Sequence, residues 1–414
     1  MNLDANPRAF SRMDRSFLGV WWWTVDRTML GCIMALLVLG IAVVATASPS
    51  VAQRIGASDY YFIVKHLIFF IPTVLLILGI SMLSPRYVWR LASIIFLGGV
   101  VMMILVLIFG VEEKGARRWI RILGFSLQPS EFIKPAFAVV VAWFVTLQRK
   151  KEQLYDSVCI KSENHKKPFP VYYAAIFGLY FISIALLIMQ PDLGMSIVLT
   201  SIIAVQIFLA GLRFRYMAVL FAIGSVGLTM AYFSLHHVRS RVDRFFDPSS
   251  GDNYQVEKSL AAIKKGGLIG VGPGQGVEKT SLPDAHADFT FSVLTEEGGV
   301  ILAFIVIALF LFILLRGFKR LQETHDAFSV LAAGGLLAMF GIQSLIHMGS
   351  SINLLPTKGM TLPFISYGGS SMVSMGIAMG MVLALTRHKG RASISRSSLK
   401  MRYAPDKSSS NEQE

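Results

Sequence analysis

The sequence predicts an all-α fold, a polytopic integral membrane protein with ten transmembrane helices and one long extracytoplasmic loop between the seventh and eighth. Three observations carry this. Of 414 residues, 54% are hydrophobic and only 15% charged, where a soluble globular chain carries roughly 25% charged residues. The mean hydropathy is +0.59, and the apolar residues gather in runs of about 20, the length that crosses roughly 30 Å of hydrocarbon at 1.5 Å per residue. The formal net charge of +14 would suggest a nucleic-acid partner in a soluble chain, but in a membrane chain it is sorted by side first. A soluble enzyme of this size is excluded.

Taken in order, continuous apolar runs place spans near Thr28 to Thr46, His66 to Leu83, Val88 to Phe109, Gln128 to Leu147 and Tyr172 to Met189. Five more follow near Leu193 to Leu212, Tyr216 to Phe233, Val293 to Leu315, Phe328 to Met348 and Ile365 to Leu385. Each is apolar all round rather than along one stripe, as lipid and bundle contact require. The first run is too long, and follows too polar a segment, for a cleaved signal; Arg8, Arg12, Arg15 and Arg27 hold the amino terminus inside. The chain thus divides into a cytoplasmic segment 1–27, a ten-helix membrane domain 28–386 with a loop at about 236–292, and a polar, serine-rich, disordered cytoplasmic tail 387–414. With both termini inside, 24 of the 39 basic residues face the cytoplasm, giving +13 inside against +1 outside. That asymmetry satisfies the positive-inside rule.

Basic clusters on the outside break the rule and ask for a reason. Lys114, Arg117, Arg118 and Arg121 lie between spans three and four, and Arg239, Arg241, Arg244, Lys258, Lys264 and Lys265 lie in the long loop. Such groups suit an anion, above all a phosphate or pyrophosphate. The bland alternative pairs them with Glu112, Glu113, Asp243, Asp247, Asp252 and Glu257 on a solvated face. Charge within a span is sharper. Gln128-Pro129-Ser130-Glu131 opens span four and Lys134 follows three residues after Glu131, so both project from one helix face. Either the pair neutralises itself, or a cavity opens there, since intramembrane ionisable residues usually face water or substrate. Asp192, in Gln190-Pro191-Asp192-Leu193-Gly194, reads most simply as the N-cap of span six.

Asp288 stands between small and aromatic residues where the long loop re-enters the membrane. Lost hydration there raises a carboxylate's proton affinity toward that of a general base; the alternative is a cap on span eight. His286 reads as a loop histidine, a ligand or a proton partner, and Glu296 and Glu297 as caps or helpers. Six glycines crowd into residues 266–276, without the spacing of a dinucleotide fingerprint. They imply irregular backbone packed close to another body, such as a bound headgroup. Between spans nine and ten, Gly368 to Ser371 permits close helix packing, which says nothing about Lys358. Cys32 and Cys159 fall in a span and a loop and indicate neither a disulfide framework nor a metal site.

The motifs Lys114-Gly115-Ala116-Arg117-Arg118-Trp119-Ile120, Gln128-Pro129-Ser130-Glu131 with Lys134, Gln190 to Gly194, the Asp288 segment and Pro356 to Ser371 closely resemble the SEDS family of shape, elongation, division and sporulation proteins. The resemblance covers roughly Arg27 to Arg387, and Pro356-Thr357-Lys358-Gly359 has the form of its cell-division branch. It implies a peptidoglycan glycosyltransferase of the bacterial inner membrane that polymerises lipid II at the septum, with its active site facing the periplasm. The implied partners are lipid II, the growing glycan chain, a class B penicillin-binding transpeptidase and other divisome membrane proteins, with no nucleic acid. By the same resemblance Asp288 is the general base, and Glu131, Lys134, Arg118, Lys358, Gln128 and Ser130 bind substrate. A divalent cation (Mg or Mn) is the cofactor it leaves room for, and no organic cofactor is implied. A lipid II flippase or a non-catalytic division scaffold are the alternatives; neither needs a base beside the sugar.

Overall fold

The computed structural model describes residues 16–113, 116–122, 124–158, 170–211, 214–234, 236–247, 253–356 and 359–388. In order these form α1 (Phe17–Thr24), α2 (Arg27–Arg54), α3 (Tyr61–Ser81), α4 (Pro85–Phe109), β1 (Val111–Glu113), β2 (Ala116–Ile122), β3 (Phe125–Leu127) and α5 (Pro129–Val158). There follow α6 (Val171–Met189), α7 (Leu193–Leu209), α8 (Phe214–Ser234), α9 (His236–Phe246), α10 (Tyr254–Gly266), a 3-10 turn at Glu278–Thr280, α11 (Thr290–Gln322), α12 (Ala327–Ser351) and α13 (Gly369–Leu385). A helix fills every interval that the apolar runs mark out. Seven, namely α2 to α6, α11 and α12, are long and apolar enough to cross a membrane, and α7 and α13 are shorter apolar helices. The chain is a multi-pass membrane protein.

The helices begin where short polar side chains satisfy their first N–H groups. Asp26 accepts from Met29 N–H at 3.1 Å, Asp192 from Met195 N–H at 3.3 Å, and Asp326 from Ser329 N–H at 3.1 Å. The N-cap reading of Asp192 therefore holds. Pro85 opens α4, where its missing N–H costs nothing. Helices α5, α12 and α13 form the buried axis, while α3, α4 and α6 present apolar residues such as Leu75, Ile94 and Phe181 outward. Between α3 and α13 small residues let the backbones approach: a Cβ at Gly369 would stand 2.3 Å from the Phe69 ring, and one at Gly376 2.7 Å from the Thr73 methyl. In lipid, where no hydrophobic force drives helices together, such close packing is the adhesive.

Four features depart from the sequence expectation. First, the basic connection between α4 and α5, for which the sequence suggested no structure, carries a three-stranded antiparallel sheet in the order β1-β2-β3, with Ile120 opposite Leu127 and Arg121 opposite Ser126. Second, residues 236–292 carry α9, α10 and the 3-10 turn. Third, α1 precedes the first span, its Trp21 indole donating to Ser81 Oγ at 2.9 Å. Fourth, the glycine-rich stretch packs on the chain's own α11.

That helix is interrupted at Gly299, whose φ of 71° and ψ of −179° are open essentially to glycine alone. Residues 267–272 supply the hydrogen bonds the break removes. Val271 and Gly272 N–H donate to the Glu296 and Glu297 carbonyls at 3.0 Å, and the Val300 and Ile301 N–H groups donate to Gly267 and Leu268 carbonyls at 2.9 and 3.2 Å. A Cβ at Gly266 would meet Thr295 O at 2.0 Å, and one at Gly270 would meet Glu297 O at 2.2 Å. Glycine is required because two backbones touch.

Candidate active site

Helix α5 starts at Pro129 and turns Glu131 and Lys134 onto one face, into the protein interior. Their side chains are 5% and 1% exposed, and Lys134 Nζ lies 2.8 Å from Glu131 Oε2. The ammonium also donates to Gln343 Oε1 on α12 at 2.7 Å, and Ser374 Oγ on α13 donates to the Glu131 carbonyl at 2.7 Å. A buried charge is tolerated only when it is paired and hydrogen-bonded; Lys134 meets both conditions, while Glu131 Oε2 has the ion pair and no hydrogen bond among the described residues.

One turn earlier, the same helix start joins a second group. Gln128 Nε2 donates to Ser130 Oγ at 3.0 Å and to Asp192 Oδ2 at 3.2 Å. Arg118, projecting from β2, donates through Nε to the Gln190 carbonyl at 2.9 Å and through Nη2 to the Pro191 carbonyl. Its Nη1 stands 3.9 Å from Asp192 Oδ2. The sheet thus carries the arginine onto the turn that opens α7, and the fold unites Arg118, Gln128, Ser130 and Asp192.

Asp288 sits in the turn before α11, where its N–H donates to the Asp284 carbonyl at 3.0 Å. The N-cap of α11 is Phe289, without a side-chain bond, so Asp288 is not a cap on that helix. Its Oδ2 lies 3.3 Å from where a Cβ on Gly359 would stand, and Gly359 has φ +58°. The 359–367 segment thereby forms one wall of the carboxylate's surroundings. Lys358, the residue before that glycine, lies outside the described residues, as do Lys114 and Asp252. The other side of the segment is fixed too: Tyr367 N–H donates to the His286 carbonyl at 2.8 Å, and Ser366 Oγ donates to Thr290 Oγ1 at 2.9 Å. His286 stacks against Phe62, with ring centres 4.1 Å apart, and Tyr367 lies 5.1 Å from the His286 ring.

The two glutamates after this turn are structural. Glu296 accepts the N–H groups of Val277, Glu278 and Lys279 at 2.8, 2.8 and 3.0 Å. Glu297 pairs with Lys279, whose ammonium also donates to the Thr46 carbonyl at 2.9 Å. Several of the other basic residues follow the bland reading. Arg117 meets Glu112 at 3.4 Å and Arg239 meets Asp243 at 3.6 Å, while Lys258 pairs with a carboxylate outside that set, Glu278, at 3.1 Å; all are exposed or half-exposed pairs of small individual worth.

Gln343 and His347 escaped the sequence reading, which weighed charges and motifs. Gln343 Nε2 donates to the Thr361 carbonyl at 3.1 Å while its Oε1 accepts from Lys134. The His347 Nδ1 lies 2.6 Å from the Met360 carbonyl. The available signal was a glutamine and a histidine four residues apart in a span whose other polar residues are serines, hence on one face.

Comparison with known proteins agrees with this architecture. Residues 26–391 match the cell cycle protein family of FtsW, RodA and SpoVE. The chain is 42% identical over 382 residues to the probable peptidoglycan glycosyltransferase FtsW of Caulobacter vibrioides, covering 92% of this chain and 94% of that protein. It is 33% identical to the protein of that name from Coxiella burnetii, covering 88% and 96%. Among solved structures, a chain of a peptidoglycan synthase complex that coordinates polymerization and crosslinking superposes with TM-score 0.69 at 24% identity, covering 88% of this chain and 98% of that one. The rod shape determining protein RodA of Thermus thermophilus superposes with TM-score 0.61 at 24% identity, covering 88% and 97%. These two share the fold. By the extent of the match and the identity to its FtsW relatives, the chain belongs to the FtsW, RodA and SpoVE family, the SEDS proteins.

Proposed function

We propose that the chain is a peptidoglycan glycosyltransferase that polymerises lipid II, the activity its FtsW relatives are named for. In the reaction a sugar hydroxyl of one substrate attacks the anomeric carbon of the other. The new glycosidic bond forms as the bond to undecaprenyl pyrophosphate breaks, the leaving group takes the bonding electrons, and the hydroxyl proton passes to Asp288. Direct displacement inverts the anomeric centre. The observation that carries this reading is the seat of the Asp288 carboxylate, walled by Gly359 and joined through that segment and Gln343 to the Lys134–Glu131 pair. It sets a base and a positive charge in one connected region, as a departing pyrophosphate needs.

The substrate-binding assignments follow from the same chemistry. Arg118 and Lys358 meet phosphate oxygens, Gln128 and Ser130 hold the Arg118–Asp192 turn in place, and Lys134 with Glu131 closes the inner end of the site. Because Gln343 and Glu131 already surround the Lys134 ammonium, direct contact with a phosphate requires one of them to give way. Among the described residues no three His, Cys, Asp or Glu side chains gather closely enough to hold a metal ion. A Mg or Mn ion would enter on the oxygens of the substrate's pyrophosphate, as such ions do in phosphate sites.

The charge asymmetry supports an orientation with both termini in the cytoplasm and Asp288 at the periplasmic face of the inner membrane. The kinship with FtsW supports action at the septum beside a class B penicillin-binding transpeptidase and other divisome proteins. The test is polymerisation of purified lipid II by the reconstituted protein with that transpeptidase. Asp288→Asn is expected to abolish glycan synthesis while folding and co-purification persist. Glycan made at an unchanged rate by that variant would overturn the role of Asp288, whereas no glycan from the parent protein would leave transport of lipid II as the better reading.

A further inference from the structure

Helix α12 puts two uncharged polar side chains one turn apart in the buried interior of the bundle. Gln343 is 1% exposed and His347 is fully buried. Four residues apart, they share a helix face, and they grip consecutive carbonyls of a single segment. His347 Nδ1 lies 2.6 Å from the Met360 carbonyl, and Gln343 Nε2 lies 3.1 Å from the Thr361 carbonyl. The residue before Met360 is Gly359, the wall of Asp288, with Oδ2 at 3.3 Å from its would-be Cβ.

Two chemical facts limit what these bonds can be. An amide carbonyl only accepts, so the His347 Nδ1 must carry the ring hydrogen. The ring is then held in one tautomer, leaving Nε2 a bare acceptor with no hydrogen-bond partner among the described residues. An orphaned buried acceptor is costly, and the fold keeps it in order to spend the other nitrogen on Met360. Gln343 uses both ends of its amide, taking the Lys134 hydrogen at Oε1 and giving its own to Thr361. Further ties on this segment come from α13 and from the α11 side: Thr361 Oγ1 lies 2.6 Å from Ser371 Oγ on α13, Leu362 N–H donates to Ser366 Oγ, which donates to Thr290 Oγ1, and Tyr367 N–H donates to the His286 carbonyl. The wall of the carboxylate is thus held from α12 at one end and from the Asp288 turn at the other.

We infer that Gln343 and His347 are positioning residues for glycosyl transfer: they fix the 359–361 backbone against Asp288 and couple its placement to the Lys134–Glu131 pair. This rests on the proposed role of Asp288. Neither residue touches the reacting atoms, so their loss should lower turnover without weakening capture of lipid II. A displacement of about 1 Å at a base costs up to roughly a hundredfold in rate.

The experiment is steady-state lipid II polymerisation by the full-length protein reconstituted with its class B transpeptidase, with kcat and KM resolved for each variant. His347→Leu is expected to reduce kcat about tenfold or more and leave KM within about twofold, the pattern of a transition-state effect. His347→Asn, whose side-chain amide can place an N–H where Nδ1–H stands, should recover to within about threefold of the parent. Gln343→Glu keeps an acceptor for Lys134 and removes the donor to Thr361, and should also lose kcat. Should His347→Leu fail to fold, His347→Asn against His347→Gln decides, since the longer amide reaches the Nε2 position instead: an active Asn and a slow Gln variant support the inference. Equal rates for those two, an unchanged kcat in folded His347→Leu, or a rise in KM alone would overturn it. Asp288→Asn is measured beside them. If it polymerises, the role of Asp288 falls; if it is inert while the α12 variants run at parental kcat, this inference alone fails.

Discussion

A lysine and a glutamate sealed between apolar helices set the terms for every nearby substitution. Lys134 has Glu131 and Gln343 within hydrogen-bond reach and almost no water. Lys134→Met leaves a buried carboxylate without its counter-charge and should cost about 3–5 kcal/mol of stability, read as a lowered melting temperature in detergent. Glu131→Gln combined with Lys134→Met removes both charges and should regain most of that loss while glycan synthesis stays absent. A double variant as active as the parent would reduce the pair to a packing device. This pair was legible in the sequence, because a spacing of three on a helix places side chains together whatever the fold. The Asp192 cap was legible for a similar local reason. Gln343 and His347 were not: their partners, Thr361 and Met360, are joined to them only through a turn of the chain between α12 and α13.

Elements show the same division between local and distant causes. Apolar runs located the helices because length and hydropathy are properties of the run itself. The sheet at 111–127 was hidden by its basic residues, which read as a ligand cluster, although Arg118 from β2 does reach the α7 turn. The glycines at 266–276 signalled close contact correctly, but the partner lay 25 or more residues onward, in α11. That contact can be tested directly. A Cβ at Gly299 would stand 2.3 Å from the Leu268 carbonyl in a backbone region foreign to other residues. Gly299→Ala should therefore cost about 2 kcal/mol or more and speed amide exchange across 266–276. Gly98→Ala, with nothing within 4 Å of its added carbon, serves as the neutral control.

Over the whole molecule, the end opposite Asp288 is closed by a charge clamp. Asp26, 1% exposed at its side chain, accepts from Arg316 Nε at 2.8 Å and Arg320 Nε at 2.6 Å. His388 N–H donates to the Thr24 carbonyl at 3.0 Å and Arg387 donates to the Leu83 carbonyl at 2.9 Å, so both residues are held, where the sequence reading assigned them to a disordered tail. Burial pushes the Asp26 carboxyl up, but the Met29 N–H and the two guanidiniums outweigh it and hold it below its ordinary 3.8. A carboxylate depressed on folding contributes stability above its unfolded value, and that contribution disappears as pH falls through the folded one. Thermal stability on this account is flat from neutrality down to about pH 4 and drops below it. Asp26→Asn should remove that acid dependence and lower the melting temperature at neutral pH by leaving the arginines unpaired. Orientation is checked by an impermeant maleimide on whole cells, in a chain carrying Cys32→Ser and Cys159→Ser. Label is expected on Lys264→Cys and not on Ser408→Cys.

The broken helix also fixes the order in which the site can come into being during synthesis. Everything that closes the gap at Gly299 lies earlier in the chain, within residues 267–272, so that joint can form as soon as α11 has been made. The wall of Asp288 is different, for Gly359 and the carbonyls of Met360 and Thr361 arrive only after all of α12. A ribosome-bound chain that ends before them carries the aspartate without its seat. The seat of the aspartate is therefore completed only when the last connection, between α12 and α13, has been made.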